Sequence, residues 1–307
     1  MNELRKTPED PTYSICIPNY NMGDTLERAL TSVMDQIDSR FEVLILDDGS
    51  TDNSRDVIDM LKRRYPRLRS IYLKRDRKRQ LGETRNITVR EARGEYVILH
   101  VDADDVWEPF IADFIEVFHR LERQYGRDIL LSGQQINIGR RSFLMRYGPY
   151  RNTHRAQDRD LWLRAAADDA YVPLDHRVFR TRLTRPRKIR HFKAVRDSWF
   201  HMLYDLRRGT GLSQYVLRTL VSPIWKGPNN FTLRFRIFRS LAVLPGLVVS
   251  RFMEPLPPPS NMQLHGEFVD YREKTRGTYA EIMTRLGGDP DLSFLRPDAQ
   301  QVFSERH

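Results

Sequence analysis

The sequence predicts an α/β fold, with a mostly parallel sheet, helices on both faces and a helical C-terminal extension. Two observations carry this. Strand-like apolar runs alternate with amphipathic segments from residue 13 to about residue 125, and a β-α-β-α-β-α-β order builds a parallel sheet through crossover helices. Two of those runs also stop abruptly at acids. Val43-Leu44-Ile45-Leu46 is followed by Asp47-Asp48-Gly49-Ser50-Thr51-Asp52, and Tyr96 to Val101 by Asp102-Ala103-Asp104-Asp105. In an open α/β sheet that carboxyl edge is where ligands bind. Crowded carboxylates repel one another unless a cation or hydrogen-bond donors lie between them. The natural resident is a hard divalent ion shared with a phosphate-bearing substrate.

The elements follow in order. Residues 13–18 form a first strand closed by Pro18. Asp24 or Thr25 caps a helix with Leu26, Leu30, Val33 and Met34 on one side. The second strand is 41–46, and Asp52 or Asn53 caps a helix carrying Val57, Ile58 and Leu61. A short strand covers 69–73, a helix runs from Gly82 to near Gly94, and a strand covers 96–101. Pro109 suits the first turn of a helix reaching about Tyr125. Beyond 126 the alternation breaks. Residues 127–138 give one more strand, 139–156 loop over the sheet edge, 158–167 are helical, 171–180 extended and 196–225 helical. Phe231 to Met253 mixes apolar residues with Arg234, Arg236, Arg239 and Arg251. A stiff break at Pro255-Leu256-Pro257-Pro258-Pro259 precedes a short helix at about 266–286 and a polar tail.

This divides the chain into a flexible N-terminus (1–11), a main domain (12–195) and two further segments. The domain has a regularly alternating half (12–125) and a less regular half (126–195). A helical, membrane-interfacial segment covers 196–253, and a Pro-rich linker with a C-terminal helix and tail covers 254–307.

At 307 residues, 40% hydrophobic and 30% charged, the chain has an ordinary globular balance. Its net charge of +10 points to an anionic partner. Cys16, the single cysteine, falls inside a core strand and reads as a buried, inert thiol. Met1 to Pro11 is polar and lacks an apolar signal core. The longest apolar stretch, Leu241 to Val249, is interrupted by Pro245 and Gly246 and falls far short of the roughly 20 residues a spanning helix needs. The expected location is the cytoplasm, peripheral on the inner face of the cell membrane. In 231–253, Phe231, Phe235, Phe238 and Ala242 recur near helical spacing with arginines alongside, as in a helix lying in the headgroup plane. Packing against protein is the alternative.

Several residues carry chemistry. Asp102 and Asp104, at i and i+2 beyond a strand, can reach one metal, or a metal and a ribose hydroxyl. Asp48 can accept a hydrogen bond from a base N–H such as uracil N3. Its other role, capping the next helix, is one Thr51, Asp52 or Asn53 can fill instead. Pro18-Asn19-Tyr20-Asn21 is a turn whose backbone and Tyr20 ring can line a base pocket. Arg85, in Gly82-Glu83-Thr84-Arg85-Asn86, opens a helix facing the second acidic cluster.

These four elements, in this order over residues 13–125, resemble the family 2 glycosyltransferases, which have the GT-A, Rossmann-like fold of nucleotide-diphospho-sugar transferases. The resemblance implies that Asp48 contacts the nucleobase, that Asp102 lies near the ribose and metal, and that Asp104 is the metal ligand. It also implies a downstream acidic motif, matched here by Gln157-Asp158-Arg159-Asp160-Leu161-Trp162 with Gln157 in place of the first acid. Asp158 is the candidate general base, which would take the proton from an acceptor hydroxyl and give inversion. Asp160, Asp168 and Asp169 compete, the last two reading as cap and surface charge. Trp162 either stacks on the acceptor or belongs to the core. No acid occurs between His176 and Arg196. In that basic tract Phe179-Arg180-Thr181-Arg182 resembles the family element that touches the diphosphate, and the remainder suits an acidic lipid headgroup or lipid-linked phosphate.

The leading expectation is thus an inverting transferase using Mg²⁺ or Mn²⁺ and a UDP-sugar (or GDP-sugar), acting on a lipid-linked saccharide or cell-envelope glycan precursor. A variant transfers sugar to a polyprenyl phosphate. A non-enzymatic basic module binding nucleic acid or anionic membrane is the reading from another class, but acids at two strand ends would repel a polyanion, so nucleic acid is not an expected partner. A nucleotidyltransferase would show a Gly-rich basic loop after the first strand, which Asn19-Tyr20-Asn21-Met22-Gly23 is not.

Overall fold

A computed structural model describes residues 11–146, 150–152, 156–183, 187–207, 232–242, 244–256 and 265–306. Its centre is a seven-stranded sheet of order β3-β2-β1-β4-β7-β6-β8. The strands are β1 (Tyr13–Asn19), β2 (Phe41–Asp47), β3 (Leu68–Tyr72), β4 (Tyr96–Leu99), β6 (Leu130–Ser132), β7 (Asn137–Arg140) and β8 (Tyr171–Pro173). All run parallel except β7, which pairs antiparallel with both β4 and β6. The connecting helices are α1 (Gly23–Met34), α2 (Ser54–Arg64), α3 (Leu81–Glu91) and α4 (Ile111–Tyr125).

Alternate strand residues face two separate cores, as the two-residue period of a strand requires. Ile15, Ile17, Val43, Ile45 and Ile98 meet Leu26, Leu30, Ile58, Phe114 and Phe118 from α1, α2 and α4. Cys16, Val97, Leu99 and Leu130 face the other way, onto Val89 of α3 and onto α5 (Arg141–Arg146) and α6 (Gln157–Ala167). The sheet therefore carries helices on both faces, as the consecutive apolar residues of β1, β2 and β4 predict. Cys16 is buried, and that burial pushes its thiol up to about 12, so it is inert at neutral pH.

The second half differs from the expected single strand at 127–138. Gln135 adopts a left-handed φ of 70°, the Gly133 N–H donates to the Ile136 carbonyl at 2.8 Å, and the chain reverses to form the β6–β7 hairpin. The 139–156 stretch holds helix α5 rather than loop alone. Within 171–180 only Tyr171–Pro173 joins the main sheet. Further on, β9 (Arg180–Arg182) pairs antiparallel with β5 (Asp105–Trp107), setting Arg182 opposite Asp105 and Arg180 opposite Trp107.

Helix α7 spans Arg187–Arg207, and Met202 packs with Trp199, Leu206 and Leu247 against α9 (Pro245–Ser250), which follows α8 (Leu233–Ala242). The expected helix to 225, Phe231, the Pro257-Pro258-Pro259 run and the first ten residues lie outside the described residues.

The expected helix at 266–286 is two helices, α10 (His265–Thr275) and α11 (Tyr279–Arg285). Thr278 restarts the chain through a capping box with Glu281. The segment read as a polar tail contains α12 (Pro297–Ser304), whose Ala299, Val302 and Phe303 are buried in the larger core. Leu295, Ala299, Val302 and Phe303 repeat at helical spacing, a signal diluted by the polar residues between them. Phe303 meets Phe114, His176 and Phe179, and the Arg177 N–H donates to the Val302 carbonyl at 2.9 Å. Truncating Phe303 to Ala should cost about 3–5 kcal/mol of stability, read as a lowered denaturant midpoint. An unchanged midpoint would show that the C-terminal helix is not part of the cooperative core.

Candidate functional site

The first two strands deliver a fixed turn and an acid to the carboxyl edge. Asn19 Nδ2 donates to Asp47 Oδ1 at 2.7 Å, and the Asn21 and Met22 N–H groups donate to Ser50 Oγ and Ser54 Oγ at 2.9 and 3.1 Å. Asp52 accepts from the N–H groups of Gly23 and Ser54. Its burial opposes the charge, but these bonds prevail and hold its carboxyl below the usual range. Asp47 and Asp52 thus lock the Pro18–Asn21 turn to the β2–α2 loop. Asp48 is left to face a cleft of about 320 Å³ lined by Pro18, Tyr20, Asp102, Asp104, Arg182 and Arg196, among others.

Both Asp48 oxygens accept from arginines, Arg75 Nη1 at 2.7 Å and Arg79 Nε at 2.7 Å. The Arg75 guanidinium also lies 4.5 Å from the Tyr20 ring centroid. Gly49 makes this possible. Its φ is +73°, and a Cβ there would stand 2.5 Å from the Arg75 nitrogen, so only glycine lets the 73–80 loop approach Asp48.

The second acidic cluster is threaded by the β9 arginines. One oxygen from each of Asp102, Asp104 and Asp105 lies within 4.8 Å of the others. Arg182 donates to Asp102 Oδ2 at 2.9 Å and to Asp105 Oδ1 at 3.0 Å, with its Nε 3.8 Å from Asp104. Burial of Arg182 opposes its charge, yet the hydrogen bond to Asp105 and the nearby carboxylates raise its pKa. Arg180 donates to Asp105 at 2.9 Å. Asp105 is fully buried and committed to these two arginines, whereas Asp102 and Asp104 are partly exposed and line the cleft. Two partly exposed hard oxygens suit a divalent cation such as Mg²⁺ or Mn²⁺.

Helix α3 links this cluster to Asp158. A Cβ on Gly82 would sit 2.0 Å from the Arg151 carbonyl oxygen, so glycine allows α3 to meet the 150–152 segment. Asn86 then clasps the Tyr150 main chain, donating to its carbonyl at 2.7 Å and accepting from its N–H at 2.8 Å. One residue earlier, buried Arg85 donates to Asp158 and reaches Asp102 Oδ1 at 3.5 Å. Burial works against the Arg85 charge, but Asp158, Tyr150 and Asp102 outweigh it and raise the pKa.

Asp158 also lies 2.8 Å from His100 Nε2. His100 ends the strand run with a φ of 68°, a strained conformation for a side chain of this size. Asp158, His100 and Trp162 line a second cleft, of about 360 Å³, together with Asn137, Arg272 and Arg276. Once its amide is turned to suit its neighbours, Asn137 accepts from Trp162 Nε1 at 3.0 Å, which fixes the indole in the cleft wall.

The competitors of Asp158 are placed elsewhere. Asp160 is fully buried, paired with Arg164 at 2.9 Å and Arg151 at 3.3 Å, and accepts from Tyr204. Asp168 and Asp169 are exposed at the end of α6. Arg180 does not line the first cleft; it braces Asp105. Of the basic tract, Arg177 pairs with Glu108, while Arg185 and the side chains of Arg187, Lys188, Arg190 and Lys193 lie outside the described residues. Sequence reasoning missed Arg75, Arg79 and His100. The available signals were the basic run Lys74 to Arg79 between a strand and a helix, and a histidine closing an otherwise apolar strand.

A stretch of 126 residues, 38% of this chain, is 38% identical to an uncharacterised glycosyltransferase of Nostoc sp. and covers 38% of that protein. TuaG of Bacillus subtilis, described as a putative teichuronic acid biosynthesis glycosyltransferase, is 34% identical over 98 residues, 32% of this chain and 38% of TuaG. The matches thus span about two fifths of these relatives' length. Among solved structures, S. aureus TarS residues 1–349, crystallised with UDP-GlcNAc, superposes with a TM-score of 0.51 at 14% identity over 75% of this chain and 79% of that one, a likeness of fold. The description "Glycosyl transferase family 2" matches residues 14–196, more than half of the sequence, and the chain belongs to that family.

Proposed function

We propose that the protein is an inverting transferase that moves a sugar from a nucleotide diphosphate, UDP by preference over GDP, to a hydroxyl of a lipid-linked or cell-envelope saccharide. The observation that carries this is the convergence of Asp48, Asp102 and Asp104 on one cleft, with Asp158 joined to its floor through Arg85.

The turn at Pro18 and the Tyr20 ring form the base pocket, and Asp48 accepts a base N–H as Arg75 and Arg79 share or release it. Asp102 and Asp104 would hold a Mg²⁺ or Mn²⁺ ion, which supplies positive charge to the diphosphate leaving group. Arg182 and Arg196 face the same cleft and stabilise the charge that develops on the diphosphate as the glycosidic bond breaks. Asp158 takes the proton of the acceptor hydroxyl as that oxygen attacks the anomeric carbon from the second cleft. Attack opposite the leaving group inverts the centre. Arg85 and His100 orient the base; both contact it directly.

The acceptor's membrane partner is proposed from a separate feature. Among the described residues, eight of the eleven exposed large hydrophobics fall between Leu233 and Phe252, so the apolar surface is concentrated in α8 and α9; Phe252 is 87% exposed. Arg234, Arg236 and Arg251 accompany them, and no acid occurs between Thr232 and Met253. A surface of this composition seats in an anionic headgroup layer, where each basic residue adds about 1 kcal/mol. No helix among the described residues is long and apolar enough to cross a membrane.

Three outcomes follow. Asp158→Asn should keep donor binding and lower kcat for a hydroxyl acceptor by a factor on the order of 10²–10⁴. Full transfer in that variant would remove Asp158 as base and favour polyprenyl phosphate, an acceptor already ionised. Asp104→Asn should weaken Mn²⁺-dependent nucleotide binding by about tenfold or more in calorimetry; unchanged affinity would remove it as a metal ligand. In vesicle sedimentation, phosphatidylserine should promote binding. The double variant Phe238→Asp, Phe252→Asp should then reduce binding by about tenfold or more, and equal binding of variant and wild type would refute membrane seating.

A further inference from the structure

The second cleft extends from His100, which follows β4, to α10, which packs on β8 with β7 and β6 between them in the sheet, and its two ends differ chemically. At one end is Asp158, with Arg85 and His100 bonded to it. At the other are Arg272 and Arg276, supplied by the C-terminal part of the chain beyond the family match. Between them the wall includes Trp162 and Tyr171.

The arginine end is firmly built. Helix α10 is anchored on β8 by Phe268, which is buried against the Tyr171 ring at 5.6 Å, and by Tyr271, whose hydroxyl donates to the Tyr171 carbonyl at 3.2 Å. The Arg276 N–H donates to the Arg272 carbonyl at 2.8 Å, so the helical turn continues and the two side chains emerge one turn apart on one side. Arg276 is held by Asp175 at 2.7 Å. Among the described residues Arg272 contacts Glu273 at 3.3 Å, and with side chains 39% and 58% exposed that pair gives little compensation. The Arg272 guanidinium therefore lines the cleft with little counter-charge, and an anionic oxygen entering the cleft would pair with it through charge-assisted hydrogen bonds.

We propose that the acceptor is an acidic saccharide whose carboxylate or phosphate is read by Arg272, with Arg276 beside it, while its reactive hydroxyl lies at Asp158. This rests on the reading of Asp158 as base and adds the acceptor's chemical class to it. The guanidinium pair sets the orientation, because the acidic substituent and the attacking oxygen must reach opposite ends of one cleft. A neutral saccharide would offer hydroxyl oxygens but no counter-charge to Arg272.

The test reads binding without turnover. The full chain is titrated with a glucuronate-terminated disaccharide, its carboxyl-reduced counterpart, and glucose 6-phosphate as the phosphate arm. At least one anionic ligand should bind about tenfold or more tightly than the neutral one, and the preference should shrink as salt is raised. Whichever anionic arm binds names the source of the charge. Arg272→Gln should erase the preference, and Arg272→Lys should keep part of it, since a point charge remains but the fork is lost. Equal affinity for anionic and neutral ligands in the wild type, or a preference that survives Arg272→Gln, overturns the proposal. Absence of sugar transfer in a separate assay would count against the transferase reading and leave these affinities readable.

Discussion

The buried guanidinium of Arg85 is the interaction on which the site depends. It joins Asp102, at the end of a strand in the first half of the chain, to Asp158, on a helix of the second half. A charge buried this deeply persists only with partners, and removing one partner strands the other. The two carboxylates therefore cannot separate without exposing or orphaning Arg85. This fixes the distance between the cleft lined by Asp48, Asp102 and Asp104 and the cleft that Asp158 faces. Asn86 and Gly82 serve the same end, since they hold the Tyr150 segment against α3 and give Arg85 its setting.

The acids divide by the company they keep. Asp47, Asp52, Asp105 and Asp160 accept hydrogen bonds from their own fold and build the edge: Asp47 and Asp52 tie two loops together, Asp105 holds the β9 arginines, and Asp160 gathers Arg151, Arg164 and Tyr204. Asp48, Asp102, Asp104 and Asp158 line clefts. Their surplus negative charge is moderated by Arg75 and Arg79 of the 73–80 loop, Arg85 of α3 and Arg182 of β9. Interleaving acids with arginines lets a crowded edge exist before any cation or diphosphate arrives.

Much of this was legible in the sequence because it is local. Strand identity in the first half, the acid clusters and the mostly parallel sheet follow from apolar runs, their ends and their alternation with helices, and the placing of Asp48, Asp102 and Asp104 on one sheet edge follows from the strands they end. What was not legible is what depends on pairing between distant segments. Nothing near Arg180 or Arg182 announces that β9 will lie antiparallel to β5, so that Arg180 braces Asp105 instead of facing the cleft. The contact between His100 and Asp158 arises from a bend with positive φ, which no periodicity encodes. The C-terminal helices read as peripheral because their apolar residues are sparse, yet they complete the core through Phe303 and the second cleft through Arg272 and Arg276.

The most direct test is the position of a nucleotide diphosphate with Mn²⁺ in a crystal structure of the full chain. The account predicts the base beside Tyr20 and Asp48, the metal on Asp102 and Asp104, the diphosphate facing Arg182 and Arg196, and Asp158 on the side from which an acceptor enters. A nucleotide bound outside this cleft, or a diphosphate turned away from Asp102 and Asp104, would contradict it.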